Sequence, residues 1–341
     1  MSSSKDLPPS TVPFFPNQFI KNQHCSKPQY PPKDTDLSGQ VAIITGGNSG
    51  LGLEAASQLL SFKLSHLIIA VRSLPKGEDT AATLRKNYPS ATIDVWRLDM
   101  SSYESVQAFA ARTEKELSRL DFVILNAGVI GSEFQIAPAT GHQDVIQVNY
   151  LSTMLLTILL LPILKTKSPA GTPGRITIVT SMLSLTAKFA NKTQIPLLPS
   201  FDTKESYDSM DIYPTSKFLG QIFAWKLTYA ISADDVVVNM VEPGFTKGTN
   251  LQRDAPVVVK AALNVLKAVS ARSVALGATT YVDAAVVKGK ESHGCLLMNW
   301  GIVPYHSLQY TPEGKELMEQ LWEETLNEFS FIDVNAILKS L

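Results

Sequence analysis

Short, continuously apolar runs rich in β-branched residues alternate with helical patterns along this chain from Gln40 onward. Such runs favour strands that are buried on both faces, and their alternation with helices favours a parallel sheet covered on both sides. Right-handed crossovers then give a doubly wound, Rossmann-like α/β sheet. The predicted strands lie at 41–44, 67–71, 93–96, 122–125, 176–179, 236–241 and near 295–298, and the predicted helices lie near 51–62, 75–87, 102–118, 143–165, 213–231, 256–276 and 312–328.

The first 36 residues lack this alternation. They contain seven prolines and no apolar periodicity, which predicts an extended arm that lies on the surface or stays loose. We therefore predict a single globular domain with additions at both ends. These parts are an N-terminal arm over 1–36, a Rossmann-fold domain over 37–303 and a C-terminal helical extension over 304–341.

The composition argues against several classes of protein. Of the 341 residues, 45% are hydrophobic and 18% are charged, so a large core can be buried. The 30 basic and 31 acidic residues give a net charge of −1, so we expect no nucleic-acid partner. Cys25 and Cys295 belong to no cluster with metal-ligand spacing, so we expect neither a disulfide nor a metal site. Few cysteines and no signal-peptide pattern favour a cytoplasmic location.

Residues 151–164 are strongly apolar and need a separate explanation. The stretch is shorter than the roughly 20 residues of a membrane-spanning helix, and it contains Pro162. We therefore predict no membrane span. A helix buried between the sheet and a neighbouring subunit fits the pattern better, which suggests a homodimer or homotetramer.

A glycine-rich turn directly follows the first predicted strand, at the point where a helix should begin. Glycine permits positive φ and lets backbone N–H groups approach a pyrophosphate at a helix N-terminus. A turn of this kind is a weak signal alone, but here it lies in the strand–turn–helix context that dinucleotide binding requires. The candidate binding residues are Gly46, Asn48, Ser49, Gly50, Leu51 and Gly52.

The end of the second strand indicates which dinucleotide is bound. Twenty residues after Gly52, where an NAD enzyme carries an acid for the ribose 2′-hydroxyl, this chain has Arg72. A guanidinium there can pair with a 2′-phosphate, and Lys76 lies one helical turn further on. The sequence therefore favours NADP(H), although a solvated arginine in a polar loop is the alternative.

Tyr213 is followed by Lys217 four positions later, at the start of a predicted helix. This spacing places both side chains on one face, where a nearby ammonium and a cationic nicotinamide would lower the pKa of the phenol. Ser181 ends the fifth strand, and the carboxyl ends of parallel strands line the ligand crevice. The three residues form a candidate catalytic group in which Ser181 holds a substrate oxygen and Tyr213 transfers the proton.

The order of these motifs resembles the classical short-chain dehydrogenase/reductase family, over about residues 38–300. The glycine-rich turn is similar to that family's cofactor turn, and Ser181, Tyr213 and Lys217 are similar to its catalytic triad. Further motifs also match. They are Asp99 in Leu98-Asp99-Met100, Asn126-Ala127-Gly128, Asn149 in Val148-Asn149-Tyr150, and Pro243-Gly244 with the following Phe245 and Thr246.

The resemblance implies roles for these residues. Asp99 would contact adenine, Asn149 would hold a water on the proton path, and Lys217 would also hold the nicotinamide ribose. Either Thr246 or Thr249 would take the family's threonine position beside the nicotinamide. The remaining residues implied to line the cofactor site are Asn126, Ala127, Gly128, Pro243, Gly244 and Phe245.

Two softer resemblances concern the branch of the family. The Ala-Val-Arg-Ser ending of the second strand, at 70–73, resembles the retinol-dehydrogenase and WW-domain-oxidoreductase branch. The proline-rich arm and the tail that begins at Thr311 resemble fungal members, which often belong to secondary-metabolite pathways.

One segment departs from the family pattern. Ser181 and Tyr213 lie 32 positions apart, more than the family's usual spacing, and apolar residues are scattered through 188–209. This segment is either a cover over the substrate or a surface excursion. We predict the cover, with the apolar side chains Phe189, Leu197, Leu198 and Phe201 in contact with substrate.

These observations together predict an NADP(H)-dependent oxidoreductase that interconverts a carbonyl and a secondary alcohol on a mid-sized, largely apolar substrate. Two alternatives remain open. One is a catalytically silent NADP(H)-binding protein that acts through partners. The other is a membrane-associated retinoid-type dehydrogenase, which depends on the apolar residues 151–164.

Overall fold

The computed structural model describes residues 3–10, 14–248 and 267–341. Its centre is an eight-stranded sheet in the order β3-β2-β1-β4-β5-β6-β7-β8, parallel except for the β7–β8 pair. The strands are β1 (Val41–Thr45), β2 (His66–Val71), β3 (Thr92–Arg97), β4 (Phe122–Leu125), β5 (Gly174–Val179), β6 (Val236–Glu242), β7 (Leu296–Met298) and β8 (Gly301–Val303).

Helices cover both faces of the sheet, as the alternating pattern predicted. They are α1 (Gly50–Ser61), α2 (Leu74–Asn87), α3 (Tyr103–Glu116), α4 (Asp144–Lys167), α5 (Ile212–Leu227), α6 (Val274–Val282), α7 (Pro312–Glu328) and α8 (Val334–Lys339). Helices α1, α2 and α6 share one apolar core, and α3, α4 and α5 share the other. The doubly wound α/β fold is therefore confirmed.

The order of the strands places a crevice at the centre of the sheet. Ile43 in β1 lies between Ile68 in β2 and Val123 in β4. The chain runs outward from β1 to β3 and then returns to β4 on the other side of β1. Ligands of such sheets bind outside the carboxyl ends of the strands at this reversal.

The helix predicted over 256–276 is interrupted at residues 271–273, in the part of it that the structure describes. Residues 267–270 are helical, but the chain then forms a bridge in which the Arg272 amide donates to the Phe245 carbonyl oxygen at 2.8 Å. A new helix, α6, follows, with the Ser273 hydroxyl accepting from the Leu276 amide at 3.1 Å. The serine cap fixes a helix start that the apolar pattern concealed. Residues 249–266 lie outside the described part.

Helix α4 is long and apolar enough to cross a membrane, but 89% of its most apolar stretch of 18 residues is buried inside the protein. The C-terminal extension supplies part of this cover, because α8 packs on α4, and the Tyr150 and Thr325 hydroxyls form a 2.5 Å hydrogen bond. The chain itself therefore covers the face that we had assigned to a neighbouring subunit. A homodimer or homotetramer stays a prediction, but the apolar surface of α4 no longer supports it.

The predicted substrate cover over 188–209 is also wrong. The four apolar side chains expected to contact substrate, Phe189, Leu197, Leu198 and Phe201, lie in the core, each at most 5% exposed. The Glu324 carboxylate of α7 accepts hydrogen bonds of 2.8 Å from the backbone amides of two of them, Leu197 and Leu198. The insertion is thus packed against the C-terminal extension. Apolar spacing alone could not show that these side chains face the core rather than the crevice.

The described part of the N-terminal arm is not simply extended, in contrast to what its composition predicted. It contains short helical turns at Ser4–Asp6, Phe14–Gln18 and Lys21–Cys25. The side chain of Ser4 is buried and accepts a 2.8 Å hydrogen bond from the Leu296 amide of β7. The described part of the arm is therefore attached to the β7 side of the sheet.

Candidate active site

A cavity of about 850 Å³ opens at the carboxyl ends of the central strands. Its size lies within the range of cofactor and substrate pockets in proteins. Most residues predicted from the sequence lie on its walls: Gly46, Asn48, Ser49, Gly50, Leu51, Arg72, Asp99, Asn126, Ala127, Gly128, Ser181, Tyr213, Lys217, Pro243, Gly244, Phe245 and Thr246. Three predicted residues, Gly52, Lys76 and Asn149, are not among its lining residues.

The glycine-rich turn has the geometry that a dinucleotide requires. Gly46 and Gly50 have φ values of +66° and +57°, where side chains are strained. A Cβ atom at Gly52 would lie 2.5 Å from the Asn126 side-chain nitrogen and 2.7 Å from the Gly46 carbonyl oxygen, so only glycine allows this close packing. Helix α1 begins at Gly50 and directs its free N–H groups at the cavity wall. The turn therefore fits a pyrophosphate.

Asn126 holds this turn in place. Its side-chain amide donates to the carbonyl oxygens of Thr45 at 2.9 Å and Gly46 at 3.3 Å. The Ala127 amide donates to the Thr45 hydroxyl at 2.9 Å. These contacts tie the end of β4 to the end of β1, so Asn126 supports the shape of the cofactor turn as well as lining the cavity.

The two predicted cations at the end of β2 have different positions. Arg72 is exposed and lies on the cavity wall, whereas Lys76 is exposed in α2 and is not a lining residue. Asp99 lines the cavity near them and accepts hydrogen bonds from the amide of Ser101 at 3.1 Å and its hydroxyl at 2.6 Å. This end of the cavity offers one guanidinium to a negatively charged group.

Tyr213 and Ser181 meet at the opposite end. Tyr213 lies in the first turn of α5, and Ser181 follows β5 and starts a short helical turn. Burial raises the pKa of Tyr213 to about 12, although its hydrogen bond with Ser181 lowers it and the charge of Glu242 raises it further. In the protein alone, burial of the phenol outweighs the effect that lowers this pKa, and the lowering expected beside a cationic nicotinamide stays a prediction.

Lys217 lies one turn further along α5 and faces the same cavity. Its ammonium donates a 2.9 Å hydrogen bond to the carbonyl oxygen of Val179, and burial lowers its pKa to about 8. A Cβ atom at Gly128 would lie 3.4 Å from this ammonium nitrogen and 3.1 Å from the Asn149 side-chain oxygen. Gly128 thus leaves the space in which Lys217 and Asn149 come together.

Asn149 is positioned by an irregular turn in α4. Residues Gln147–Leu151 form a π-helical turn, a feature that is frequent at functional sites. The Asn149 amide donates to the Val129 carbonyl oxygen at 2.9 Å and to the Ser216 hydroxyl at 3.0 Å. A separate cavity of about 10 Å³, lined by Asn149 and Lys217, lies beside it and is close to the size of one water molecule.

Several known proteins are similar to this chain. The family model for short chain dehydrogenases matches residues 40–257. A short chain dehydrogenase/reductase, mfmJ, from Annulohypoxylon moriforme is 58% identical over 341 residues, which cover 100% of this chain and 99% of that protein. The short chain dehydrogenase virL from Hypocrea virens is 43% identical over 97% of this chain and 95% of its own length.

The chain belongs to the short-chain dehydrogenase/reductase family.

Solved structures of this fold agree at lower sequence identity. L-sorbose reductase from Gluconobacter frateurii, complexed with NADPH and L-sorbose, superposes with a TM-score of 0.60 at 20% identity, over 81% of this chain and 99% of that chain. A short-chain dehydrogenase from Sphingobium yanoikuyae in complex with NADPH gives a TM-score of 0.53 at 21% identity, over 71% and 82%. At these identities the likeness shows the fold alone.

The active site of this short-chain dehydrogenase contains a buried acid, Glu242, that the sequence analysis did not predict. Glu242 is 2% exposed, lines the cavity and accepts a 2.7 Å hydrogen bond from the Gly244 amide. Burial raises its pKa to about 7, against the opposing charge of Arg272 and the amides of Gly244 and Met182. The sequence could have indicated this residue, because Glu242 is an acid at the end of a buried strand and directly precedes Pro243-Gly244.

Arg272 is a second missed residue. Its guanidinium donates to the carbonyl oxygens of Pro243 at 3.3 Å and Asn22 at 2.6 Å, and to the side chain of Asn299. It thereby joins the loop after β6, the N-terminal arm and the β7–β8 turn. Thr246 in that loop is buried, whereas Thr249 lies outside the described residues. No local motif in the sequence marks Arg272.

Proposed function

We propose that this short-chain dehydrogenase uses NADP(H) to interconvert a carbonyl and a secondary alcohol on a mid-sized, largely apolar substrate. One observation carries the proposal: Ser181, Tyr213 and Lys217 converge at one end of a cavity that has Arg72 at its other end. This placement of the catalytic residues and Arg72 fits a dinucleotide whose nicotinamide lies near Tyr213 and whose 2′-phosphate lies near Arg72. Fungal secondary metabolism is the proposed setting, supported by the fungal sources of the relatives.

Each residue has a defined task in this proposal. The glycine-rich turn and the N-terminus of α1 hold the pyrophosphate, and Arg72 pairs with the 2′-phosphate. Asp99 contacts the adenosine part, and the loop from Pro243 to Thr246 lies against the nicotinamide. When bound, the dinucleotide supplies the hydride for reduction and accepts it for oxidation.

The residues at the reacting end move the proton. The Ser181 hydroxyl holds the substrate oxygen, and the Tyr213 phenol donates a proton to it during reduction. A pKa of about 12 keeps the phenol protonated near neutral pH, which suits a proton donor. Lys217 and Asn149 border the cavity of about 10 Å³, which can hold one water beside the Lys217 ammonium.

The direction favoured is reduction, because cells keep the NADP pool largely reduced. The cavity wall has an apolar part, formed by Val129, Ile130, Met182 and Leu183, and a polar part that includes Ser132, Glu133, Gln135 and Asp144. An apolar wall favours a substrate whose bulk is hydrocarbon rather than a sugar.

The test is NADPH oxidation by the purified protein with a panel of aliphatic and aromatic ketones. We expect ketone-dependent oxidation of NADPH that is faster than that of NADH. NADPH binding without turnover of any ketone, or of any carbonyl in a cell extract analysed by mass spectrometry, would instead support the silent-binding alternative. Tyr213→Phe serves as the inactive control in every assay.

A further inference from the structure

Three phenylalanines of the N-terminal arm lie on the wall of the active-site cavity. Phe14, Phe15 and Phe19, here called the arm phenylalanines, are lining residues together with Ser181 and Tyr213. They come from more than 160 positions earlier in the chain and from a segment outside the matched family region at 40–257. No residue of 188–209, the segment expected to cover the substrate, is among the described lining residues.

The arm phenylalanines lie at the reacting end of the cavity. Phe19 is 8% exposed and forms an apolar cluster with Met182, the residue after Ser181. The Phe19 ring also lies 5.9 Å from the Phe245 ring, centroid to centroid, on the loop after β6. Because Met182 and Phe245 border the catalytic serine and the nicotinamide loop, the arm contacts the substrate region rather than the adenine region.

Polar contacts fix the arm in this place. The Gln23 side-chain amide donates to the carbonyl oxygens of Phe245 at 2.9 Å and Ser270 at 2.8 Å. Its side-chain oxygen accepts from the Phe245 amide at 3.1 Å. The Arg272 guanidinium donates to the Asn22 carbonyl oxygen at 2.6 Å. The arm phenylalanines therefore belong to a segment that hydrogen bonds hold against the domain. This limits the conformational entropy that the segment loses when a ligand contacts the rings.

Phe15 is the arm residue with the most surface left to cover. Its side chain is 66% exposed although it faces the cavity, and its ring packs only partly on Phe19, with centroids 5.8 Å apart. A partly packed phenyl ring on a cavity wall gains favourable energy when an apolar group covers it, and an aromatic ring adds a geometric preference. Phe19, in contrast, is already buried and serves to support Phe15.

We propose that the arm phenylalanines form the outer wall of the substrate pocket, and that Phe15 selects carbonyl substrates bearing an aromatic ring. This inference rests on the proposed function, because it assigns the substrate class of the same site. It also gives the proline-rich arm a task in specificity that neither its composition nor its family resemblance supplied.

The experiment compares two exposed arm aromatics. Phe15→Ala removes the ring on the cavity wall, and Tyr30→Ala removes a ring that is 69% exposed in the same arm and is not a lining residue. Phe15→Trp retains an aromatic ring. Because Phe15 and Tyr30 are exposed, these substitutions leave the core intact.

Each protein, saturated with NADP⁺, is titrated with butanone, acetophenone and acetonaphthone by calorimetry, and KM for the same ketones is measured with NADPH. We expect Phe15→Ala to raise both Kd and KM for acetonaphthone about tenfold, and those for butanone less than about twofold. Phe15→Trp and Tyr30→Ala should stay within about threefold of the parent. The Kd for NADPH should be unchanged in all variants.

Several outcomes would overturn the proposal. Unchanged acetonaphthone binding by Phe15→Ala, or equal losses for all three ketones and NADPH, would show that the arm supports the fold and not the substrate. Failure of the parent to bind any aromatic ketone contradicts it as well. Binding without NADPH oxidation would overturn the proposed function instead, and the Kd values alone would then decide the role of Phe15.

Discussion

The ammonium of Lys217 donates a 2.9 Å hydrogen bond to the carbonyl oxygen of Val179, two residues before Ser181. This bond ties the catalytic helix α5 to the end of β5. This hydrogen bond helps to fix the Tyr213 phenol relative to the Ser181 hydroxyl. Tyr213 lies one helical turn before Lys217, and Ser181 lies two residues after Val179. Lys217 therefore positions the reacting groups in addition to its proposed contact with the cofactor.

Tyr213→Phe should reduce turnover by about 10²–10⁴-fold, the usual contribution of a general acid–base group, because only the proton-donating hydroxyl is lost. The Kd for NADPH should remain within a few-fold of the parent. Steady-state kinetics and NADPH fluorescence titration measure the two effects. Tyr88→Phe is the matched control, since the Tyr88 hydroxyl bonds to Ser57, at 2.9 Å, and not to the active site. Substantial residual turnover by Tyr213→Phe would remove Tyr213 from its central role.

Arg72→Ala should weaken NADPH binding by about 10–100-fold, the value of a hydrogen bond to a charged group, and leave NADH binding nearly unchanged. The reason is that NADH has no 2′-phosphate to pair with the guanidinium. Lys76→Ala is the control and should change the affinities for NADPH and NADH little. It removes an exposed cation one helical turn from Arg72 that does not line the cavity. Equal losses for both dinucleotides in Arg72→Ala would assign Arg72 a structural role.

Glu242→Gln should move the pH profile of the reaction. The Glu242 carboxylate raises the pKa of Tyr213, so its neutralisation should lower that pKa. The alkaline limb of kcat/KM for reduction should then shift to lower pH by roughly half a unit to one unit. That limb lies at about pH 12, well above the pKa of about 7 of Glu242, so Glu242 is ionised throughout it. Glu133→Gln, elsewhere on the cavity wall, is the control; identical profiles for parent and Glu242→Gln would refute the coupling.

His142 should make stability depend on pH. Its ring bonds to Asp202 at 2.9 Å and Glu328 at 3.1 Å. Burial alone lowers the pKa of His142, but these two carboxylates outweigh it and raise the pKa to about 9. A folded-state pKa above the unfolded value of 6.5 means that this stabilisation is complete below pH 6.5 and is lost as pH rises through about 9.

His142→Gln should therefore reduce the free energy of unfolding by ~2 kcal/mol near about pH 6, and by much less near about pH 10. Urea unfolding at both pH values measures the difference. His66→Gln removes the 2.8 Å hydrogen bond between the His66 ring and the half-exposed Asp94 carboxylate, and should cost little at either pH. A cost for His142→Gln that is independent of pH would show that the ring acts by packing alone.

Much of the sheet was predictable because its strands are buried on both faces and therefore appear as unbroken apolar runs. Strand β8 was missed, since it has three residues and follows a turn in which Asn299 and Trp300 have positive φ. The hairpin depends on that turn conformation, which no glycine marks at either position.

The candidate site was predictable where the chemistry lies in short motifs, as in Tyr213 and Lys217. It was not predictable where side chains come from distant segments. Arg272 joins three such segments, and Phe15 reaches the cavity from the arm. Such contacts depend on tertiary packing, and local patterns record only which side chains are apolar. The same limit explains why 188–209 was assigned to the cavity instead of the core.

The π-helical turn at Gln147–Leu151 also bears on how this region can change in evolution. A π turn holds one more residue than a regular turn, and removal of one residue restores a regular turn and rotates residues within it by about 100° around the helix axis. Such a rotation would carry the Asn149 amide away from Val129 and Ser216. Insertions and deletions should therefore be rare among relatives between Asp144 and Lys167, while the surface loops of the same proteins vary freely in length.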